Sequence, residues 1–225
     1  MEVPNSFDEI LDRYEPIKEY AVRNFSEFKN RADNAEVIKY GTDCNDIGCL
    51  NPKFERAICK ARYGRYLKNK PEDGIEYTIY AFSQDMHPLR VRKSIADGKY
   101  GFSCATYYFF DYNGITYACP FHGDTDEPYI GGEIYVFIYH NERLTEFGFF
   151  DRSRVHLKIA DYDKYPRVYL TVHDFLRDKR HYSRNEYQYH KWLYEYEETL
   201  RGKIIDLKMT GSDTLYKRWP EFEGT

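Results

Sequence analysis

GFSCATYYFFDYNGITYACPF, residues 101–121, decides how this chain folds. Aromatic and β-branched residues crowd both sides of Asn113-Gly114, and such residues fit a pleated, half-buried surface better than a helix. Asn-Gly tolerates the positive φ angles of a tight primed turn, whose twist matches that of paired strands. The stretch therefore predicts a hairpin, 101–112 with 115–121. Working outward, IEYTIYAF (75–82) reads as a strand. EIYVFIYH (133–140) turns at Asn141-Glu142 into 143–150, and 154–161 and 167–173 read as further strands. The expectation is an α+β fold around an antiparallel β-meander of about six or seven strands spanning 75–173.

The flanks change period. Ser6-Phe7-Asp8-Glu9 is a capping box, in which a serine and a glutamate satisfy the first free amides of a helix. Ile10, Leu11, Tyr14, Ile17, Ala21, Phe25, Phe28 and Ala32 continue one apolar stripe, with Pro16 kinking the helix or starting a second one. Residues 35–50 read as loop, and Asn51-Pro52 opens another helix with Phe54, Ile58 and Ala61 on its apolar face. Ser183-Arg184-Asn185-Glu186 repeats the capping box. Tyr189, Leu193, Tyr196 and Leu200 then follow at helical spacing up to Gly202, which predicts one C-terminal helix within 183–209 and a last strand over 203–209. The tail 210–225 is polar and carries Tyr216, Trp219 and Phe222. The chain is thus expected to be one domain, 1–225: a helical part over 1–70, the sheet over 75–173, the C-terminal helix and strand over 183–209, and the tail.

Composition bounds the function. With 33 basic and 37 acidic residues the net charge is −4, without the basic excess of a chain that neutralises many phosphates, so nucleic acid is not expected as partner. No apolar run has the length of a membrane span, and Met1 to Asp8 lacks a signal pattern. Five cysteines, an odd number, predict reduced thiols in a cytoplasmic protein. There is no phosphate-binding loop and no dinucleotide fingerprint, so no cofactor is expected. Cys119-x-x-His122 is the one close couple of soft ligands, where structural zinc sites use two, so no metal is expected either.

Two motifs suggest chemistry. R-N-E-Y-Q-Y-H, Arg184 to His190, resembles the Arg-x(4–6)-His motif of HEPN ribonucleases over seven residues. The resemblance implies metal-independent RNA cleavage at a dimer interface, with His190 shuttling the proton and Arg184 facing the phosphate. G-T-D-C-N-D-I-G-C, around Cys44, loosely resembles the nucleophile region of NlpC/P60-type cysteine hydrolases. There Cys44 would attack at a helix N-terminus, with His122, His140 or His156 as its base. Asn45 stands where that family has a small residue.

The long connection from His122 to Glu133 is a different kind of candidate. It carries Asp124, Asp126 and Glu127 between the aromatic residues Phe121, Tyr129 and Tyr135. Long loops on rigid sheets are where function concentrates. In size, mild acidity and aromatic content the chain is similar to small immunity and antitoxin proteins and to phage inhibitors. That likeness implies a non-enzymatic binding or inhibitory protein with a protein partner such as a basic toxin or effector. Tyr129 and Tyr135 would be the anchors and the three acids a steering rim.

Overall fold

The computed structural model describes residues 7–42, 47–59, 64–72, 75–94, 106–122, 129–151, 153–177, 186–201 and 203–218. The chain divides into two compact units, Pro16–Ile134 and Met1–Glu15 with Tyr135–Thr225. In the first unit the strands are β1 (Val37–Gly41), β2 (Tyr66–Leu67), β3 (Tyr77–Phe82), β4 (Pro88–Ser94), β5 (Thr106–Tyr112) and β6 (Ile115–His122). They lie in the order β2-β1-β3-β4-β5-β6, and the two-residue β7 (Tyr129–Ile130) pairs with β6. In the second unit β8 (Ile134–His140), β9 (Arg143–Phe150), β10 (Arg154–Asp161), β11 (Arg167–Arg177), β12 (Glu186–Glu198) and β13 (Ile204–Arg218) follow in chain order. The registers run antiparallel, as short hairpin connections require.

Three helices accompany the strands among the described residues: α1 (Phe7–Arg23), α2 (Phe25–Asp33) and α3 (Lys53–Cys59). The aromatic stripe packs α2 and the second half of α1 against strands of the first unit. Phe28 of α2 stacks on Phe110 at 4.7 Å and 4°, and Tyr20 of α1 lies 5.6 Å from Phe110 and 4.7 Å from Tyr112. Phe25 sits 4.7 Å from Phe121 and 5.4 Å from Tyr108. Such ring pairs contribute about 0.5–1.5 kcal/mol each beyond the area they bury. In the second unit Tyr14 meets Phe150 edge-on at 5.9 Å.

The expected fold is corrected in two respects. The sheet strands number twelve in the two orders above, plus β7, instead of six or seven. The C-terminal helix does not form: Glu186–Glu198 is the strand β12. The helical stripe misled because tyrosines fill both parities of this segment, so helical and strand periodicities coexist in it. Tertiary pairing decides between them. β12 runs alongside β11 from Arg167↔Glu197 to Arg177↔Tyr187, and β13 covers its other side. Leu200, the last member of the presumed stripe, is 96% exposed in the turn, where the Thr199 and Lys203 backbones close the hairpin. Val37–Gly41 reads as loop in isolation. It becomes a strand because β3 offers it five consecutive partners, Phe82 to Thr78. The hairpin at Asn113-Gly114 forms with both residues at positive φ.

Phe28→Ala should cost about 3–5 kcal/mol, because a buried ring is lost from a packed cluster. Leu200→Ala should be neutral within about 0.5 kcal/mol, as an exposed turn residue is. Urea unfolding of the two variants beside the parent checks both; a C-terminal helix would reverse the expectation for Leu200.

Candidate functional site

On β10, Arg154, His156 and Lys158 alternate with Val155 and Leu157, so three nitrogen-bearing side chains share one face of a strand. The registers place Phe149 and Phe147 of β9 beside His156 and Lys158, and Asp174 of β11 on the other side of His156. Asp174 in turn lies opposite His190 of β12, which lies opposite Thr214 of β13. One transverse row, Phe149–His156–Asp174–His190–Thr214, therefore crosses five strands.

Asp174 is the centre of that row. Its carboxylate accepts two bonds from Arg154, Nε to Oδ1 at 2.8 Å and Nη2 to Oδ2 at 3.1 Å, and one from His156 Nδ1 at 3.3 Å. Burial alone would push the Asp174 carboxyl up, but the hydrogen bonds from His156 and Arg154 and the charge of Arg154 outweigh it and hold the group down at about 2. The bond to a carboxylate places the His156 proton on Nδ1, so Nε2 accepts from the Lys158 ammonium. Lys158 is only 1% exposed, with its nitrogen 5.8 Å from the Phe147 ring centre. His156 stacks on Phe149 at 5.2 Å, and the Arg154 guanidinium lies over the same ring at 5.2 Å. The approach of β9 to β10 depends on Gly148, where a Cβ would overlap the His156 carbonyl oxygen.

Both nitrogens of His156 are engaged within the cluster, so the arrangement holds three strands in register and does not offer an open base. On the opposite face His173 Nδ1 accepts from the Tyr189 hydroxyl at 2.8 Å. Desolvation and the nearby Lys191 push the His173 imidazole down to about 4, which keeps it neutral in that role.

The residues singled out by sequence fall as follows. Arg184, Cys44, Asp124, Asp126 and Glu127 lie outside the described residues. His190 sits on β12 and not on a helix, its Nδ1 3.2 Å from Thr214 Oγ1 and its ring stacked on Trp192 at 5.5 Å. His122, at the end of β6, donates from Nε2 to the Gly131 carbonyl at 3.0 Å, and its backbone pairs with Tyr129. Tyr135 is buried at 4% exposure, stacked on Phe147 at 6.1 Å and tilted against Phe149 at 5.8 Å, so its ring belongs to the core and is not presented as an anchor. Cys119 is buried on the Phe121 face of β6 and three residues from His122, so the couple points to opposite faces; burial pushes its thiol up. Among the described residues no group of three or more His, Cys, Asp or Glu side chains is placed to hold a metal ion, and no helix is long and apolar enough to cross a membrane.

Sequence reasoning missed Asp174, Arg154 and Lys158. The signal was present as Arg-x-His-x-Lys at strand spacing, 154 to 158, facing a strand with a single acid at Asp174. Compared with protein-family models, with curated proteins and with solved structures, the chain matches none.

The two shifted groups set an acid-unfolding profile. His173 binds protons less readily folded, about 4, than at its ordinary 6.5, so the unfolded chain takes up more protons and stability falls as pH drops through that window. The contribution of Asp174 is complete above its ordinary 3.8 and is lost as pH falls toward about 2. Urea midpoints measured from pH 7 to 2.5 should show both descents, and His173→Gln should flatten the upper one. Asp174→Asn should cost about 1–3 kcal/mol at neutral pH, because Arg154 and His156 lose the carboxylate that both of them bond. An Asp174→Asn protein as stable as the parent would contradict the cluster's role.

Proposed function

We propose that this chain is a non-enzymatic binding protein whose contact surface is the β12–β13 hairpin. The observation that carries the reading is the mixture of half-buried aromatic and apolar side chains there. Tyr189, Trp192, Leu193 and Tyr194 are all partly exposed on strands that lie at the end of the strand order, and Met209 is 59% exposed. Interface cores are enriched in Tyr, Trp, Met and Arg, and a few such anchors supply most of the affinity. Trp192 stacks on His190 and lies opposite Ser212, while Tyr194 lies opposite Met209. Trp192, Tyr194 and Met209 thus share one face, and Tyr189 and Leu193 lie on the other. On that other face, Arg167, Glu195 and Lys208 form an ion-paired row, with Nε to Oε1 at 3.1 Å and Nζ to Oε1 at 3.8 Å, suited to steering.

An immunity, antitoxin or phage-inhibitor role, in the cytoplasm and against a basic protein partner, is the finer form of this proposal. It rests on size, the net charge of −4 and the odd cysteine count. The segment between His122 and Tyr129, with Asp124, Asp126 and Glu127, is a second candidate surface in the same reading.

The parent chain and a Trp192→Ala, Tyr194→Ala variant, immobilised side by side in extract of the source cells, form the test. We expect a partner to bind the parent and to be lost from the variant, with affinity weakened by about 2 kcal/mol or more per anchor. Thermal unfolding of the variant distinguishes lost contact from lost fold. Equal capture by both folded proteins would contradict the hairpin as contact surface.

A further inference from the structure

We propose that β13 is a dimerisation edge, along which two copies of the chain pair antiparallel about a twofold axis passing between Thr210 and Gly211. Among the described residues β12 is the one strand neighbour of β13. Among the described residues the other side of this strand thus has no strand partner, and a second register shift between Lys208 and Ile205, with Asp206 at positive φ, confines the template for another chain to 207–214.

A twofold axis normal to a sheet brings together residues that face the same side, and a regular strand alternates sides with every residue. Pairing about the midpoint of Thr210 and Gly211 sets Lys208 against Asp213 of the second copy. In a regular strand these would face opposite sides. The bulge removes the conflict. Gly211 lies opposite Leu193 and Met209 opposite Tyr194, so Thr210 is the extra residue and the phase flips across it. Lys208 lies opposite Glu195 and Asp213 opposite Lys191, and these two β12 residues share a face. Met209 and Ser212, opposite Tyr194 and Trp192, share the other face and meet each other across the same seam.

Charge makes a second copy the occupant. Within one chain the row already alternates: Arg167, Glu195, Lys208, with Lys208 Nζ 3.8 Å from Glu195 Oε1. Across the seam it continues with Asp213 and then Lys191 of the second copy, and the same row repeats on the other side of the axis. At the axis neither flanking residue projects a bulky side chain of its own, although Leu193 of β12 leans over Gly211. Gly211 has none, and the Thr210 hydroxyl folds back to donate to the Leu193 carbonyl at 3.3 Å. A lysine on an edge strand ordinarily guards against pairing; here the acid five residues later turns that guard into a register-specific lock.

Sedimentation velocity over a concentration series of the whole chain tests this. The parent should show a reversible monomer–dimer equilibrium. Lys208→Asp and Asp213→Lys alone each oppose like charges twice, and each should raise the dissociation constant at least about tenfold. The double variant should return it to within a few-fold of the parent. Both intrachain pairs, Lys208 with Glu195 and Asp213 with Lys191, are reversed in the double variant, so charges acting only within one chain would make it worse. A parent that stays monomeric throughout, or a folded double variant no better than the singles, would overturn the proposal. Amide exchange over 207–214 in the parent supplies an independent reading: it should slow as concentration rises, and exchange independent of concentration would equally overturn it.

Discussion

The open edge of β11 is the constraint on which the C-terminal third depends. A strand of eleven residues leaves a row of backbone donors and acceptors that must find partners once its side chains are buried. Val168, Leu170, Val172 and Asp174 are all buried, so water is not the remedy along this stretch. Residues 186–198 supply the missing row, and their extended form follows from that need more than from their own preference. β13 then covers β12, and the demand passes outward to an edge where exposed, charged residues meet it.

The ionic row works within that frame. Lys158, His156 and Arg154 would be a costly set of polar groups to bury singly, and Asp174 makes the burial tolerable by binding two of them directly. The same bonds fix register: a one-residue slip of β10 against β11 would turn Asp174 away from His156 and put Val155 or Leu157 beside it. A polar cluster of this kind contributes specificity of pairing in a sheet whose aromatic residues could pack in several registers.

The hairpins were legible where turn chemistry and alternation agreed, as at Asn113-Gly114, and the docking stripe of α1 and α2 was legible in Tyr14, Phe25 and Phe28. What could not be read was settled by partners far away in sequence. Val37–Gly41 is too short to announce itself, and it is extended because β3 lies alongside. Segment 186–198 satisfies both periods, and a capping box at Ser183 tipped the reading toward helix. The candidate sites suffered for the same reason. His190 looked like a helical residue near Arg184, whereas a strand sets it across from Asp174. Tyr135 looked like an exposed anchor because nothing local marks it as packed against Phe147 and Phe149.

Nuclear Overhauser contacts on isotope-labelled protein decide whether 186–198 is a strand between β11 and β13. The account predicts cross-strand backbone contacts between Thr171 and Leu193, Asp174 and His190, and His190 and Thr214, with strong sequential α-proton-to-amide contacts along the segment. Contacts spaced three and four residues apart within 186–198, with none to β11, would contradict it.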